Sequence, residues 1–455
     1  MFTVSEILKA TEGKLLQGNP GAEVKGVFID SRNIEPNELF IAIKGENFDG
    51  HDFVSKVAER GIKVIVVHRT VKIENRDVAV IRVRDTVKAL GALARFHRLR
   101  FDIPVVGLTG SAGKTTTKEM LAAVLKSKFH VLYNAGTQNN HIGVPLTLLK
   151  LTKQHDIAVI EMGTNQPGDI SWLADVARPT IAVLTNIGES HLEKLKTLGG
   201  VFQEKWALAK AVPARGYVIY NKDDRYLKMI PQKKLAARAV AYSIVSLSAC
   251  RATHVSIRSA GLSFKIHKKT FFLKTFSTDM AYNALAAVAC ARIFKITDQN
   301  VYRAFKTFRF DKGRQEILKV NGNWIINDSY NANPVSMRNA IATLEAFPTE
   351  GRRILISADM LELGNRARVL HEEVGRRVGS SGIDILMTVG VNARWIARAA
   401  LRTQPGFSAF HDRDVEALKH RLRNMPFEND VILVKGSRGM KMENVVEFLK
   451  ENLKR

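Results

Sequence analysis

The chain has 455 residues, 45% hydrophobic and 25% charged. That is ordinary globular composition with room for about three domains, and it excludes fibrous, collagen-like and wholly disordered chains. With 69 Lys and Arg against 44 Asp and Glu, the net charge is +25, which favours anionic partners without naming one; a solvated basic surface has the same composition. Apolar runs are short, as at Val64–Val67, so no transmembrane segment is expected. The start, MFTVSEILKATEG, lacks a basic stretch followed by an apolar one, so no secretory signal is expected. Cys250 and Cys290 are the only cysteines. Two thiols make neither a disulfide framework nor a cysteine zinc site, and a reducing cytoplasm fits them.

Apolar runs at 25–29, 39–43, 62–67 and 78–83 predict strands, with a short helix over 52–60. Residues 85–99 predict a helix: Asp85 suits the N-cap, and Val87, Leu90, Leu93 and Ala94 share one face. Pro104 in FDIP disfavours helix in the residue before it, which puts a boundary near 100. The next block alternates strand and helix, with strands predicted at 104–109, 131–134, 157–162, 181–186 and 216–221. Continuous runs such as IAVIEM and IAVLTN suit a parallel sheet buried on both faces. From 225 to 275 the alternation fades into basic, β-rich sequence, and a helix is predicted over 279–294. A third block begins near 311, with strands predicted at 323–327, 352–357, 384–389 and 430–434. The expected class is α/β in three domains: a small α/β domain over 1–100, a central parallel-sheet domain over 101–310, and a Rossmann-like doubly wound domain over 311–455.

The sharpest local signal is IPVVGLTGSAGKTTTKEMLAAVL, 103–125. An apolar strand enters a Gly-rich turn and then a helix. Backbone N–H groups of such a turn converge on a phosphate. Thr109, Gly110, Ser111, Ala112, Gly113, Lys114, Thr115 and Thr116 would cradle ATP, with Lys114 on the terminal phosphates and the Thr115 hydroxyl on Mg²⁺. Leu108 stands where the usual spelling has its first Gly. The loop alone names no reaction.

TGSAGKTTTKE resembles the ATP loop of the Mur ligase family. NNHIGVPLTLL (139–149), AVIEMGTNQPGDI (158–170), TNIGESHLE (185–193), NDSYNANPVSM (327–337), ADMLELG (358–364) and VKGSRGMKME (434–443) follow in the family's order. DSYNANP followed by DMLELG is similar to the member that adds the last building block. IDSRNIEPNELFIAIKGENFDGHDF, 29–53, is similar to that member's nucleotide-sugar segment. The resemblance implies ATP-dependent phosphorylation of the terminal carboxylate of a UDP-N-acetylmuramoyl-tripeptide, then attack by the amine of D-alanyl-D-alanine. It implies peptidoglycan synthesis, in a cytoplasmic monomer with no nucleic-acid partner.

Residue by residue, the resemblance implies that Lys114, Glu161, His191, Lys205 and Arg314 carry the chemistry. Thr115 and Glu161 would hold one Mg²⁺, and His191 and a carbamylated Lys205 would share a second metal site. Glu161 ends a buried strand, where open sheets bind ligands. Asn139 and Asn140 resemble the family's pair near the γ-phosphate and acceptor, and by themselves read as loop caps. Arg314 would reach the phosphates, Asp328 the ribose hydroxyls, and Tyr330 and Asn283 the adenine. Asn331, Asn333, Lys435, Ser437 and Arg438 would surround nucleotide or peptide acceptor. Ser31, Arg32, Lys44, Gly45, Asp49 and His51 fall in the uridine-diphosphate segment.

Departures from the family pattern are Ala112 for Asn, Ala358 for Gly, Asp279 and Met280 for His and Asn, Glu204 for Ala, and Ala207 for Glu. They leave open a non-catalytic scaffold. A folylpolyglutamate synthetase-like ligase would share the loop but lack DSYNANP and the first-domain segment. A nucleic-acid-dependent ATPase would carry a helicase-like or RNA-binding motif set, which is missing.

Overall fold

The computed structural model describes residues 1–33 and 35–454. Ile34, inside the 29–53 segment, and Arg455, the end of the third expected domain, lie outside the described residues. The chain forms two compact units: Met1–Gly107 with His130–Gly163 and Asp169–Thr180, and Leu108–Phe129 with Thr164–Gly168 and Ile181–Arg455.

In the first unit a five-stranded sheet has the order Lys14–Gln17, Ala79–Arg82, Val64–Val67, Leu39–Ile41, Val27–Phe28. The last four are parallel and Lys14–Gln17 is antiparallel. Val64–Val67 is buried throughout, as a central parallel strand with both faces covered must be. The helix expected over 85–99 is Thr86–Arg98, and the Asp85 carboxylate caps it by accepting from the Val87 and Lys88 N–H groups at 2.8 and 3.0 Å. Its last residue, Arg98, is buried, and its guanidinium donates to the carbonyls of Phe101, Ile103 and Ala177. The same unit holds the parallel pair Ile157–Glu161 and Val131–Tyr133.

In the second unit Ile181–Leu184, Tyr217–Asn221, Arg238–Ser243 and Cys250–Arg258 are successive parallel neighbours. Gly261–Ile266 and Lys269–Leu273 then fold back antiparallel, so the basic stretch ends the sheet as a meander. The helix expected over 279–294 is Met280–Ile293. A separate six-stranded sheet has the order Glu316–Val320, Asn323–Asp328, Val431–Lys435, Arg353–Ala358, Ile385–Val389, Ser408–Asp412. All but the first are parallel. Successive residues of one strand feed opposite cores: Leu355 joins Met337, Ile341, Leu370 and Ile396, while Ile354 and Ile356 join Leu418, Leu422, Val446 and Leu449. This is a doubly wound sheet with helices on both faces. Its edge strands carried no apolar run to predict them, because both are partly exposed.

Three buried histidines make this fold sensitive to acid. His51 faces Asp49 through Nδ1 at 2.6 Å, and its Nε2 accepts from the His68 N–H. His97 Nε2 lies 2.9 Å from the Leu151 carbonyl. His371 Nδ1 meets the Ala367 carbonyl, and its Nε2 accepts from the Met360 N–H. Burial holds all three below histidine's ordinary 6.5. The unfolded chain takes these protons first, so their contribution is intact above about pH 6.5 and is lost as pH falls towards the folded values. Thermal melting is expected to drop between neutral pH and about pH 5, with a shallower slope in His51→Gln and His371→Gln variants. An unchanged slope in both would assign acid sensitivity elsewhere.

Candidate active site

The strand Val105–Thr109 ends in the loop Gly110–Gly113, and the helix Lys114–Leu125 begins at once. Gly113 sits at φ +76, and a Cβ there would come within 2.6 Å of the Asn283 amide oxygen. A Cβ on Gly110 would lie 1.8 Å from Thr185 Oγ1. Both positions need glycine for close approach, one also for its backbone conformation. The loop is tied to the segment after Ile181–Leu184. Thr185 Oγ1 donates to the Ala112 carbonyl at 2.7 Å, and Asn186 Oδ1 accepts from the Ala112 N–H at 2.8 Å. Ser111 N–H donates to the Asn186 carbonyl. Ser111 Oγ donates to the Gly188 carbonyl, and the Gly188 and Ser190 groups return to Ser111 Oγ at 2.9 and 3.0 Å. Lys114 Nζ lies 2.9 Å from the Gly110 carbonyl. Thr109, Thr115 and Thr116 are buried.

The third block reaches this loop directly. Asn333 caps the helix Pro334–Ala346 through the Ser336 N–H, and its Nδ2 donates to the Ser111 carbonyl at 3.1 Å. Asp328 pairs with the buried Lys435 at 2.5 Å, and Lys435 also donates to the Asn331 carbonyl. Ser437 Oγ donates to the Ala332 carbonyl and accepts from the Leu361 N–H. The Arg438 N–H reaches Asn331 Oδ1 at 3.4 Å, and its guanidinium pairs with Glu443. The Arg314 guanidinium stacks 3.8 Å above the Tyr330 ring, so Tyr330 already carries a cation on one face. Asn283 is buried beside Gly113, with its amide on the Met280 sulfur.

His191 takes a left-handed backbone conformation, and its Nδ1 lies 2.5 Å from Glu362. That hydrogen bond lowers the Glu362 pKa. Lys205, on the helix Leu198–Lys210, is buried. Burial pushes its pKa well below the ordinary lysine value; nearby Lys114 adds to the shift, and Glu204 opposes it. Glu204 points elsewhere: it accepts from the Gly168 N–H at 2.7 Å and the Thr164 hydroxyl at 3.3 Å.

In the other unit Glu161 is buried at its strand end. Asn139 donates to its carboxylate at 2.7 Å, and Asn134 brackets its backbone on both sides. Asn140 Oδ1 accepts from the Ile142 and Gly143 N–H groups in the turn that enters the helix Gly143–Leu148. In the first-domain segment, Arg32 pairs with Asp30, the Ser31 carbonyl accepts from Arg60, the Lys44 and Asp49 backbones form an isolated antiparallel β-bridge, and the Gly45 N–H donates to the Phe48 carbonyl. His51 is buried with both ring nitrogens engaged. Sequence reasoning missed Asn134, Asn186 and Glu362. Asn186 and Glu362 lie inside quoted motifs, but their partners, Ala112 and His191, are far away in sequence.

A phosphate loop locked to a second strand end and to a doubly wound third block defines the nucleotide-dependent ligase architecture, and the chain belongs to the Mur ligase family. The Mur ligase family catalytic domain matches residues 23–98, the Mur ligase middle domain 108–291, and the glutamate ligase domain 313–438. Within the family it groups with the UDP-N-acetylmuramoyl-tripeptide–D-alanyl-D-alanine ligases. It is 35% identical to that enzyme from Bacillus subtilis and 36% to that from Escherichia coli, in each case over 99% of this chain and 98% of the relative. A crystal structure of MurF from Acinetobacter baumannii superposes with a TM-score of 0.90 at 30% identity, covering 99% of both chains. MurF from Thermotoga maritima in complex with ADP gives 0.84 at 28% identity, over 95% of this chain and 98% of that one.

Gly110→Ala is expected to displace Thr185 and weaken ADP binding by about tenfold or more, equivalent to an overpacking cost of about 1–3 kcal/mol. Gly382→Ala, where a Cβ meets nothing within 4 Å, is the control. Calorimetric titration with ADP checks both, and equal affinities would remove the loop from nucleotide binding.

Proposed function

We propose that the chain is an ATP-dependent amide ligase that joins D-alanyl-D-alanine to UDP-N-acetylmuramoyl-tripeptide, giving the muramoyl-pentapeptide of peptidoglycan synthesis. The observation that carries this is the hydrogen bond from Asn333, in the DSYNANP motif, to the Ser111 carbonyl of the phosphate loop. It couples the motif expected to meet the nucleotide and acceptor to the motif expected to hold the phosphates. The domain boundaries we propose are near 100 and 310, and the enzyme acts as a cytoplasmic monomer.

The glycine cradle and the ring of hydroxyls at Thr109, Thr115 and Thr116 fit a nucleotide triphosphate. Thr115 and Glu161 would hold one Mg²⁺, a cation that takes few protein oxygens and shares the rest with phosphates, and His191 with a carbamylated Lys205 would hold a second. When bound, ATP supplies the phosphoryl group that makes the tripeptide carboxylate a competent electrophile, and Mg²⁺ offsets the charge of the approaching anions. Lys114 and Arg314 add positive charge where it develops on the transferred group. Asp328, held by Lys435, orients the ribose, and Tyr330 and Asn283 bound the adenine. Asn139 fixes the Glu161 carboxylate. Glu362, 2.5 Å from Nδ1, holds His191 in one ring orientation, and a carboxylate so placed would orient the histidine as a metal ligand. The first-domain set, Ser31, Arg32, Lys44, Gly45, Asp49 and His51, lines or supports the uridine-diphosphate subsite. Asn140, Asn331, Ser437 and Arg438 shape the loops around the acceptor.

Burial favours the neutral amine at Lys205, and the neutral amine is the form that adds CO₂. Carbamylation would convert it to an oxygen-bearing anion suited to Mg²⁺. Lys205→Ala is expected to be nearly inactive and to recover with acetate or another short carboxylate. Full activity without rescue would reduce the lysine to a packing role.

The deciding assay is phosphate release from ATP. It is expected only when a UDP-muramoyl-tripeptide and D-alanyl-D-alanine are both present, and to fall by about 10²-fold or more in Lys114→Ala with melting unchanged. Equal release without either substrate would sink the ligase reading.

A further inference from the structure

Residues 225–278 contain eleven Lys and Arg and not one Asp or Glu. Eleven of the net +25 charges therefore sit in about an eighth of the chain. None of the eleven is buried. The ligase chemistry uses none of these residues. At the turn between Arg238–Ser243 and Cys250–Arg258 the same stretch displays two aliphatic side chains, Val245 and Leu247, which are 74% and 77% exposed.

That turn is rigidly built. The Asp223 carboxylate accepts from the N–H groups of Ile244, Val245 and Ser246 at 2.6, 2.9 and 2.8 Å, and from the Tyr282 hydroxyl at 3.0 Å. Its carbonyls are taken by cations: Lys222 donates to Leu247, Arg251 to Ile244 and Arg292 to Ala249. Arg292 also reaches the His267 ring, which brings the exposed Lys268 to the same end of the meander. Asp298 lies 3.9 Å from Arg292. Asp223 is spent on the turn itself. The result is a fixed convex tip with two aliphatic groups outward and a collar of Lys222, Arg251, Lys268 and Arg292 around its base.

We propose that this prong docks the enzyme on an anionic lipid bilayer surface. A short apolar tip ringed by Lys and Arg matches an interface where acyl chains lie just beneath negative headgroups. Preorganisation matters here, because the loop has no ordering entropy left to lose on insertion. A single-stranded nucleic acid would also answer the charge, but it is bound in grooves whose exposed aromatic rings stack on the bases. Four of the segment's six aromatic rings, Tyr242, Phe264, Phe271 and Phe276, are buried, and the side chains exposed at the tip are aliphatic.

The test is flotation of the full-length protein with phosphatidylglycerol vesicles against phosphatidylcholine vesicles, across a salt series. Binding is expected to phosphatidylglycerol only and to weaken with salt. Val245→Ser with Leu247→Ser should weaken it by about tenfold or more, and Lys268→Glu by about fivefold; melting and phosphate release should stay unchanged in both. Leu247→Trp should shift its emission to the blue on vesicle binding and be quenched by brominated acyl chains. Equal binding by the serine pair, or no emission shift in Leu247→Trp, would overturn the prong. No preference for the anionic lipid, or retention of random-sequence RNA in place of vesicles, would overturn the bilayer as partner.

Discussion

Ser111 is the point on which the site depends. Its hydroxyl exchanges hydrogen bonds with Gly188 and Ser190, its N–H meets the Asn186 carbonyl, and its own carbonyl takes the Asn333 amide. One small side chain and one peptide unit thereby fix three segments that are far apart in sequence. A phosphate loop stabilises an anion only if its N–H groups are aimed before the anion arrives. Here the aim is set from outside the loop, by the strand end at 185–190 and by the helix start at 333. The packing agrees: a Cβ on Gly188 would meet Val335 at 2.2 Å, so the third block sits directly on the segment that braces the loop.

What was legible in the sequence follows from how local its causes are. Buried parallel strands announce themselves as apolar runs, and Ile157–Glu161, Ile181–Leu184 and Val431–Lys435 fall where such runs predict them. Glu316–Val320 and Ser408–Asp412 do not, because an edge strand with a wet side needs no run. The helix Val4–Thr11 was readable in principle: Thr3 and Glu6 form a capping box. The phosphate loop was legible because its chemistry constrains spelling. Glu362 was not, since its role is set by His191, 171 positions earlier.

The departures from the family pattern also resolve physically. Glu204, beside Lys205 in sequence, is turned away from it to anchor the Thr164–Gly168 loop, as adjacent helix positions require. Met280 gives the Asn283 amide a sulfur contact and leaves that residue packed at Gly113. Lys205 is different: its burial, with Lys114 nearby, disfavours the ammonium form.

The proposed boundary near 100 has a consequence for how this protein can be taken apart. Arg98 binds the carbonyls of Phe101, Ile103 and Ala177 with one guanidinium. The peptide stretch that looks like a linker is thus the ligand of a buried cation, and so is the end of a helix some eighty residues later. A chain cut after residue 100 would strand that charge on one fragment and all three of its acceptors on the other. Severing the first block cleanly therefore means carrying 101–103 along and replacing Arg98 by a neutral residue, so that no ion is left in the dry interior.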